Sequence, residues 1–222
     1  FLYDGEQVTK RPVIQQWWSK YYASKQDVED GACILTGTQT SIVRQKMPMM
    51  VKGVPNIQSS GAALISFDKA AYQSHGWDGT QNAAIGYESS VKLHQSLDVL
   101  LRDENHHYRS GGSIFVFWGN TDGEGLNPEL WSDPGAVVAL DIFTTSNKPS
   151  NLPAGRKFKR EFYLATLKGN KGRIALSSWG SYNRENIKTN IKKFVESQQF
   201  SPSVRARPIW VLCNCAFRDP TK

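Results

Sequence analysis

The sequence predicts an α+β fold with mixed or antiparallel sheets, packed helices and long loops. Three observations carry that expectation: short apolar runs rich in strand-forming residues, separate segments with helical periodicity, and long polar runs broken by Gly and Pro between them. The 222 residues are 39% hydrophobic, 11% aromatic and 21% charged, which describes a folded chain and excludes a disordered or collagen-like one.

Phe1 to Tyr3 open the chain as a short strand. Arg11-Pro12 then starts a helix to about Ser24, because proline suits a first turn and Ile14, Trp17, Trp18 and Tyr21 recur at helical spacing. The stripe of Trp17, Trp18, Tyr21 and Tyr22 is expected to bury itself against a sheet, with base stacking as the alternative. Asp30-Gly31 reads as a turn, followed by strands over Ala32 to Thr36 and Ser41 to Arg44. Met47 to Gly61 is a loop broken by Pro48, Gly53, Pro55 and Gly61, and Ala63 to Phe67 is a buried-strand candidate. Ser74 to Asn82 is a second polar loop. The spacing of Val91, Leu93, Leu97, Leu100 and Leu101 predicts an amphipathic helix over Tyr87 to Arg102.

Ser113 to Trp118 is a continuous apolar strand, and Val137 to Phe143 fits either a strand or a short helix. Asn147 to Gly155, rich in Pro and Ser, is the best linker, dividing a 1–147 region from a basic 148–222 region that could still share its domain. Glu161 to Leu167 and Arg173 to Trp179 flank Lys168-Gly169-Asn170-Lys171-Gly172, which predicts a hairpin with a cationic tip. A helix from about Arg184 to Gln198 follows, with Ile187, Ile191, Phe194 and Val195 on one face and Lys188, Lys192 and Lys193 on the other. Pro208 opens a last helix with Ile209, Leu212, Cys213 and Ala216 inward.

Charge is unevenly placed. Residues 1–110 hold 11 basic and 11 acidic side chains, residues 111–147 hold five acidic and no basic ones, and residues 148–222 hold 16 basic and 4 acidic, a local +12 in a chain of net +7. Cations attract phosphate because each contact releases condensed counterions, so nucleic acid is the expected partner, and an acidic protein is the alternative.

Catalytic machinery is not apparent. Cys33, Cys213 and Cys215 form neither a disulfide framework nor a zinc cluster, which fits a reducing cytoplasm. Neighbouring His106 and His107 share no helix face and are read as having no carboxylate at ligand spacing beside them, and His75 and His94 are isolated. Asn120, Asp122, Glu124 and Gly125 imitate half a calcium loop, but Trp131 stands where the bidentate Glu belongs. Phosphate-loop, dinucleotide and nucleophile-elbow signatures are also missing, so neither enzyme, metal nor cofactor is expected. No apolar run is long enough to span a bilayer, and no membrane partner is expected. The start at Phe1 suggests a piece of a longer protein.

From Cys33 to Leu101 the order of motifs resembles the Csd-type large subunit of the type I-C CRISPR Cascade complex. The likeness rests on Leu35-Thr36-Gly37, Ile42-Val43-Arg44, Val51-Lys52-Gly53-Val54 and Gln58-Ser59-Ser60-Gly61-Ala62, then Leu64-Ile65-Ser66-Phe67, Ala71-Tyr72-Gln73-Ser74-His75-Gly76 and Asn82-Ala83-Ala84-Ile85. Phe117-Trp118, Phe162-Tyr163-Leu164 and Trp179 extend it more weakly. The sequence departs from the family at Asp68, His75 and Ala84, where Asn, Tyr and Pro are usual; the first exchange puts a carboxylate at a DNA-facing position.

The resemblance implies a non-catalytic, cytoplasmic subunit in antiviral defence. It would work with a guide RNA ribonucleoprotein, Cascade backbone subunits and a helicase-nuclease, and recognise a TTC-like protospacer-adjacent motif in double-stranded DNA to start R-loop formation. Together with the residue chemistry it makes Lys52, Gly53, Asn56, Gln58, Ser59, Ser60 and Gly61 in the first loop, with Gln81 and Asn82 in the second, the expected DNA contacts. The alternative use of such residues is to bond their own turns. Lys168, Asn170, Lys171, Arg173, Lys188, Lys192 and Lys193 are expected to hold phosphate or RNA. Two rival readings are a protein-interaction module without DNA contact and an enzyme whose site lies in segments absent from this chain.

Overall fold

The computed structural model describes residues 2–25, 28–44, 47–67, 69–119, 124–139, 142–145, 161–201 and 203–215. The elements, in order, are β1 (Leu2–Tyr3), β2 (Glu6–Gln7), α1 (Pro12–Lys25), β3 (Val28–Ala32), β4 (Gln39–Val43), α2 (Tyr87–Arg102), β5 (His107–Ser110) and β6 (Ser113–Gly119). They continue with β7 (Glu124–Leu126), α3 (Pro134–Ala139), β8 (Phe143–Thr145), β9 (Glu161–Asn170), β10 (Arg173–Asn183), α4 (Arg184–Glu196) and α5 (Ile209–Cys215). Among the described residues the strands pair antiparallel, as one four-stranded sheet in the order β10-β9-β6-β5 and three two-stranded sheets, so the chain is α+β as its sequence predicts. No described helix is long and apolar enough to cross a membrane.

Two compact units divide the chain, Phe1–Met49 with Ile65–His94, and Met50–Leu64 with Gln95–Lys222. The boundary expected at 147/148 lies outside the described residues, as do the linker expected over Asn147 to Gly155, Asp68, Asn120, Asp122 and Ala216.

In the first unit β3 and β4 form a hairpin that corrects the sequence reading. Asp30 and Gly31 lie in the strand, facing Ser41 and Thr40, and the turn falls at Cys33 to Thr38, where Gly37 N donates to Cys33 O at 2.7 Å and Gly37 takes φ +70°. Gly31 reads as a turn signal but serves a tight packing position, since a Cβ there would come within 3.0 Å of Ile42 Cγ1. The aromatic face of α1 also departs from expectation. Trp17, Trp18, Tyr21 and Tyr22 are 42 to 55% exposed and pack on one another, with Trp17 and Tyr21 stacked at 5.2 Å, rather than against a sheet.

The four-stranded sheet organises the second unit. Side chains alternate across β6, so Ile114 and Val116 face one way and Phe117 the other. The first face joins Leu167, Ile174 and Leu101 of α2 to Val51, Val54 and Ala62. The opposite face joins Phe117 and Phe162 to Leu126, Leu130, Val137 and Phe143, with Ile187 and Ile191 of α4 packed against them. Ala63 to Phe67 is not a strand: Ala63 forms a single parallel bridge to Arg173, and the residues after it stay outside the sheet. The last helix differs too, since Ile209, Leu212 and Cys213 of α5 are exposed where the sequence places them inward; only Val211 is half-buried.

Candidate nucleic-acid interface

Residues 50–64 close into a compact loop. At its base Val51 and Ala62 exchange backbone hydrogen bonds, each at 2.9 Å, and both side chains are buried in the core. Gly61 is buried as well and takes φ +100°; a Cβ there would meet Met50 Cβ and Val51 O at 3.0 Å. Its role is to let the chain fold back, while Lys52, Gly53, Asn56, Gln58, Ser59 and Ser60 stay exposed at the crown.

The structure joins this loop to the β9–β10 tip, which the sequence reading treats as separate devices. Lys171 N donates to Asn56 O and Gln58 N donates to Lys171 O, both at 3.0 Å. Ala63 N donates to Gly172 O and Ile174 N to Ala63 O, both at 2.9 Å. Asn56 (φ +62°) and Lys171 (φ +52°) both adopt the left-handed conformation that non-glycine residues rarely take. The loop backbone is thereby tied to a sheet edge, while the side chains of Asn56, Gln58, Ser59 and Ser60 have no hydrogen-bond partner among the described residues.

A third strand turn meets the same loop, and the sequence reading missed it. Arg109 of β5 donates from Nη2 to Gly53 O at 3.1 Å. The signal was present: Gly111-Gly112 follows His107 to Ser110, and both glycines take positive φ, +55° and +74°, as a two-residue hairpin turn requires. Residues 50–64, 107–119 and 164–176 contain no acidic side chain. Lys52, Arg109, Lys168 and Lys171 are exposed, Asn170 is exposed beside them, and Arg173 is half-buried. Among the described residues, Lys52, Lys168 and Lys171 make no ion pair. This end of the sheet combines unopposed cations with unused amide and hydroxyl donors, a combination suited to phosphate and base edges.

The other expected contacts are arranged differently. In the first unit Gln81 uses its side-chain carbonyl to accept from Asp78 N at 2.9 Å, and Asn82 Nδ2 donates to Gly79 O at 3.1 Å and Trp77 O at 3.4 Å. Gln81 is exposed and Asn82 half-buried; both bond their own turn. On α4, Lys192 and Lys193 are exposed, whereas Lys188 is half-buried with its ammonium 5.8 Å from the Phe143 ring centre. An apolar cavity of about 250 Å3 lined by Tyr108, Leu130, Trp131, Ile191, Phe194 and Trp210 includes no charged side chain and is unsuited to phosphate.

Among the described residues, no three His, Cys, Asp or Glu side chains gather where they could hold a metal ion. Cys33 is buried and takes a hydrogen bond on Sγ from Gly86 N at 3.2 Å. Burial raises its thiol pKa, but hydrogen bonding with the Gly86 backbone, Thr36, the Leu35 backbone and Ser89 outweighs it and brings the value down to about 6.

A family model described as CRISPR-associated protein (Cas_Csd1) matches residues 1–221. No curated protein matches the chain.

Proposed function

From the premise that this chain belongs to the Cas_Csd1 family of CRISPR-associated proteins, we propose that it is a non-catalytic nucleic-acid-binding subunit of a type I-C interference complex in the cytoplasm. Its task is to recognise the protospacer-adjacent motif in duplex DNA, help open the R-loop and help recruit the helicase-nuclease. Base pairing to the guide RNA reads the remaining sequence. The observation that carries the reading is the union of two devices at one sheet end: side-chain amides at Asn56 and Gln58 without partners among the described residues, and cations at Lys52, Lys168 and Lys171 that make no ion pair among them.

The amides and serine hydroxyls donate to base acceptors in the groove, while the lysines hold phosphates and set the register. Gln81 and Asn82 shape the second loop, and Lys192 and Lys193 add a sequence-independent pull on phosphate or guide RNA. A second reading, a docking module for other subunits of the complex, is favoured by the exposed aromatic face of α1.

The test is a binding titration of the assembled complex on motif-bearing and motif-scrambled duplexes. Gln58→Ala should lower motif preference by roughly 1 to 3 kcal/mol with little change on scrambled DNA, and Lys171→Ala should weaken both duplexes alike. Equal losses on both duplexes for both variants would refute the assignment and leave the docking reading.

A further inference from the structure

We propose that the β5–β6 turn is a positioning element for motif recognition, with Gly112 as the seat of the Asn56 side chain and Arg109 as the tether of the loop's other end. The proposal rests on the reading of this loop as the DNA reader.

Asn56 needs a definite orientation to distinguish bases, because an amide has two donors and one acceptor that differ only by rotation. Its backbone is fixed by the bond from Lys171 N, but its side chain is exposed and has no hydrogen-bond partner among the described residues. The glycine at 112 leaves room for it. A Cβ built on Gly112 would lie 3.1 Å from Asn56 Nδ2, tighter than ordinary van der Waals contact, so the amide keeps this place only beside a residue with no side chain. At the loop's other end, Arg109 Nη2 bonds Gly53 O at 3.1 Å. Gly53 takes φ +85°, and a Cβ built on it would lie 3.8 Å from Arg109 Nη2 and 3.9 Å from Leu101 Cβ. One two-stranded turn thus touches the loop at two points three residues apart.

Gly111 supplies an internal control. It shares the left-handed backbone of Gly112, with φ +55° against +74°, but a Cβ on it meets nothing within 4 Å. Gly111→Ala and Gly112→Ala therefore impose similar backbone strain, and only the second displaces the Asn56 amide by a few tenths of an ångström.

Motif discrimination, the ratio of affinities for motif-bearing and scrambled duplexes, is measured on the assembled complex with thermal melting as the folding check. We expect Gly112→Ala to lower discrimination about five-fold relative to Gly111→Ala, with affinity for scrambled DNA unchanged between the two. In an Asn56→Ala background, Gly112→Ala should lower it no further. If Asn56→Ala lowers discrimination but the two glycine variants behave alike, or if Gly112→Ala acts equally in the Asn56→Ala background, the positioning role is overturned and the reader survives. If neither Asn56→Ala nor Gln58→Ala changes discrimination, the reader itself falls, and this inference with it. Should Gly112→Ala melt well below Gly111→Ala, Asn56→Ser decides: its shorter hydroxyl cannot rest on Gly112, so unaltered discrimination overturns the proposal and a loss matching Asn56→Ala supports it.

Discussion

Lys171 offers a perturbation in which charge and backbone geometry separate cleanly. Its φ of +52° costs an ordinary L-residue about 1 to 2 kcal/mol, and its backbone makes two of the four bonds that tie the tip to the loop, the ones to Asn56 and Gln58. Lys171→Ala keeps that strain and loses the ammonium. Lys171→Gly loses the ammonium and relieves the strain, but glycine's extra freedom in the unfolded chain offsets about 0.5 to 1 kcal/mol of the gain, so its stability should rise by no more than about 1.5 kcal/mol. If the ammonium holds one phosphate, each variant flattens the plot of log affinity against log salt by about 0.9. Between about 50 and 200 mM salt, both variants then lose about 3.5-fold less affinity than the unaltered chain, equally on motif-bearing and scrambled duplexes. Lys171→Arg should retain the original slope. Fluorescence anisotropy at several salt concentrations measures this directly. An unchanged slope, with Ala and Gly differing from each other in affinity, would mean that Lys171 acts through its backbone alone.

Other substitutions probe the frame that holds the interface. Gly169→Ala sets a Cβ onto Pro55 O and the Ile57 side chain, which are backbone and packed core, so it should lower stability by at least about 2 kcal/mol in urea titrations; a neutral result would mean that the loop lies elsewhere. Ile114 is fully buried at the centre of one face of the sheet, and Ile114→Ala should cost about 2 to 5 kcal/mol, with Ile114→Val costing about 0.5 to 1.5. The same cost for both variants would contradict the tight packing described. Cys33 carries a pH dependence. Its folded thiol titrates near 6, below its value in the unfolded chain, so the unfolded state binds the extra proton between those values. Stability from this group should rise with pH from about 6 to about 9 and disappear as pH falls through 6. Cys33→Ala should flatten urea midpoints across that window, and parallel curves for the two proteins would dismiss the contribution.

Legibility followed the physics of each segment. The helix over Tyr87 to Arg102 was readable to the residue because a periodic apolar face and a solvated one were both present, and the structure buries Leu101 and half-buries Leu97 and Leu100 on that face. The β9–β10 hairpin was readable from its Gly-bearing centre, although its strands run to Asn170 and Asn183, well beyond the apolar runs. Polar residues there pair through the backbone, and composition cannot report that. The strand over His107 to Ser110 was missed because two of its four residues, Arg109 and Ser110, are exposed polar groups at a sheet edge; the Gly-Gly turn was the available signal. Gln81 and Asn82 carry the same amide chemistry as Asn56 and Gln58. Only the hydrogen-bond geometry, which depends on how each loop folds back, separates amides engaged in their own turn from amides left open.

The outer margin of β10 has a further consequence. Among the described residues only Ala63 caps it, at Arg173 and Ile174, while the remainder of an 11-residue strand has β9 alone as neighbour and exposes Leu176, Trp179 and Tyr182. Such a margin invites accretion of any extended peptide, including an identical copy. The irregularity between Leu176 and Ser178, where Ser177 and Ser178 turn their hydroxyls back onto Thr166, breaks the even ladder that a foreign strand would have to match. A chain that must stay unaggregated before meeting its complex thus carries a defect that works as a guard rail.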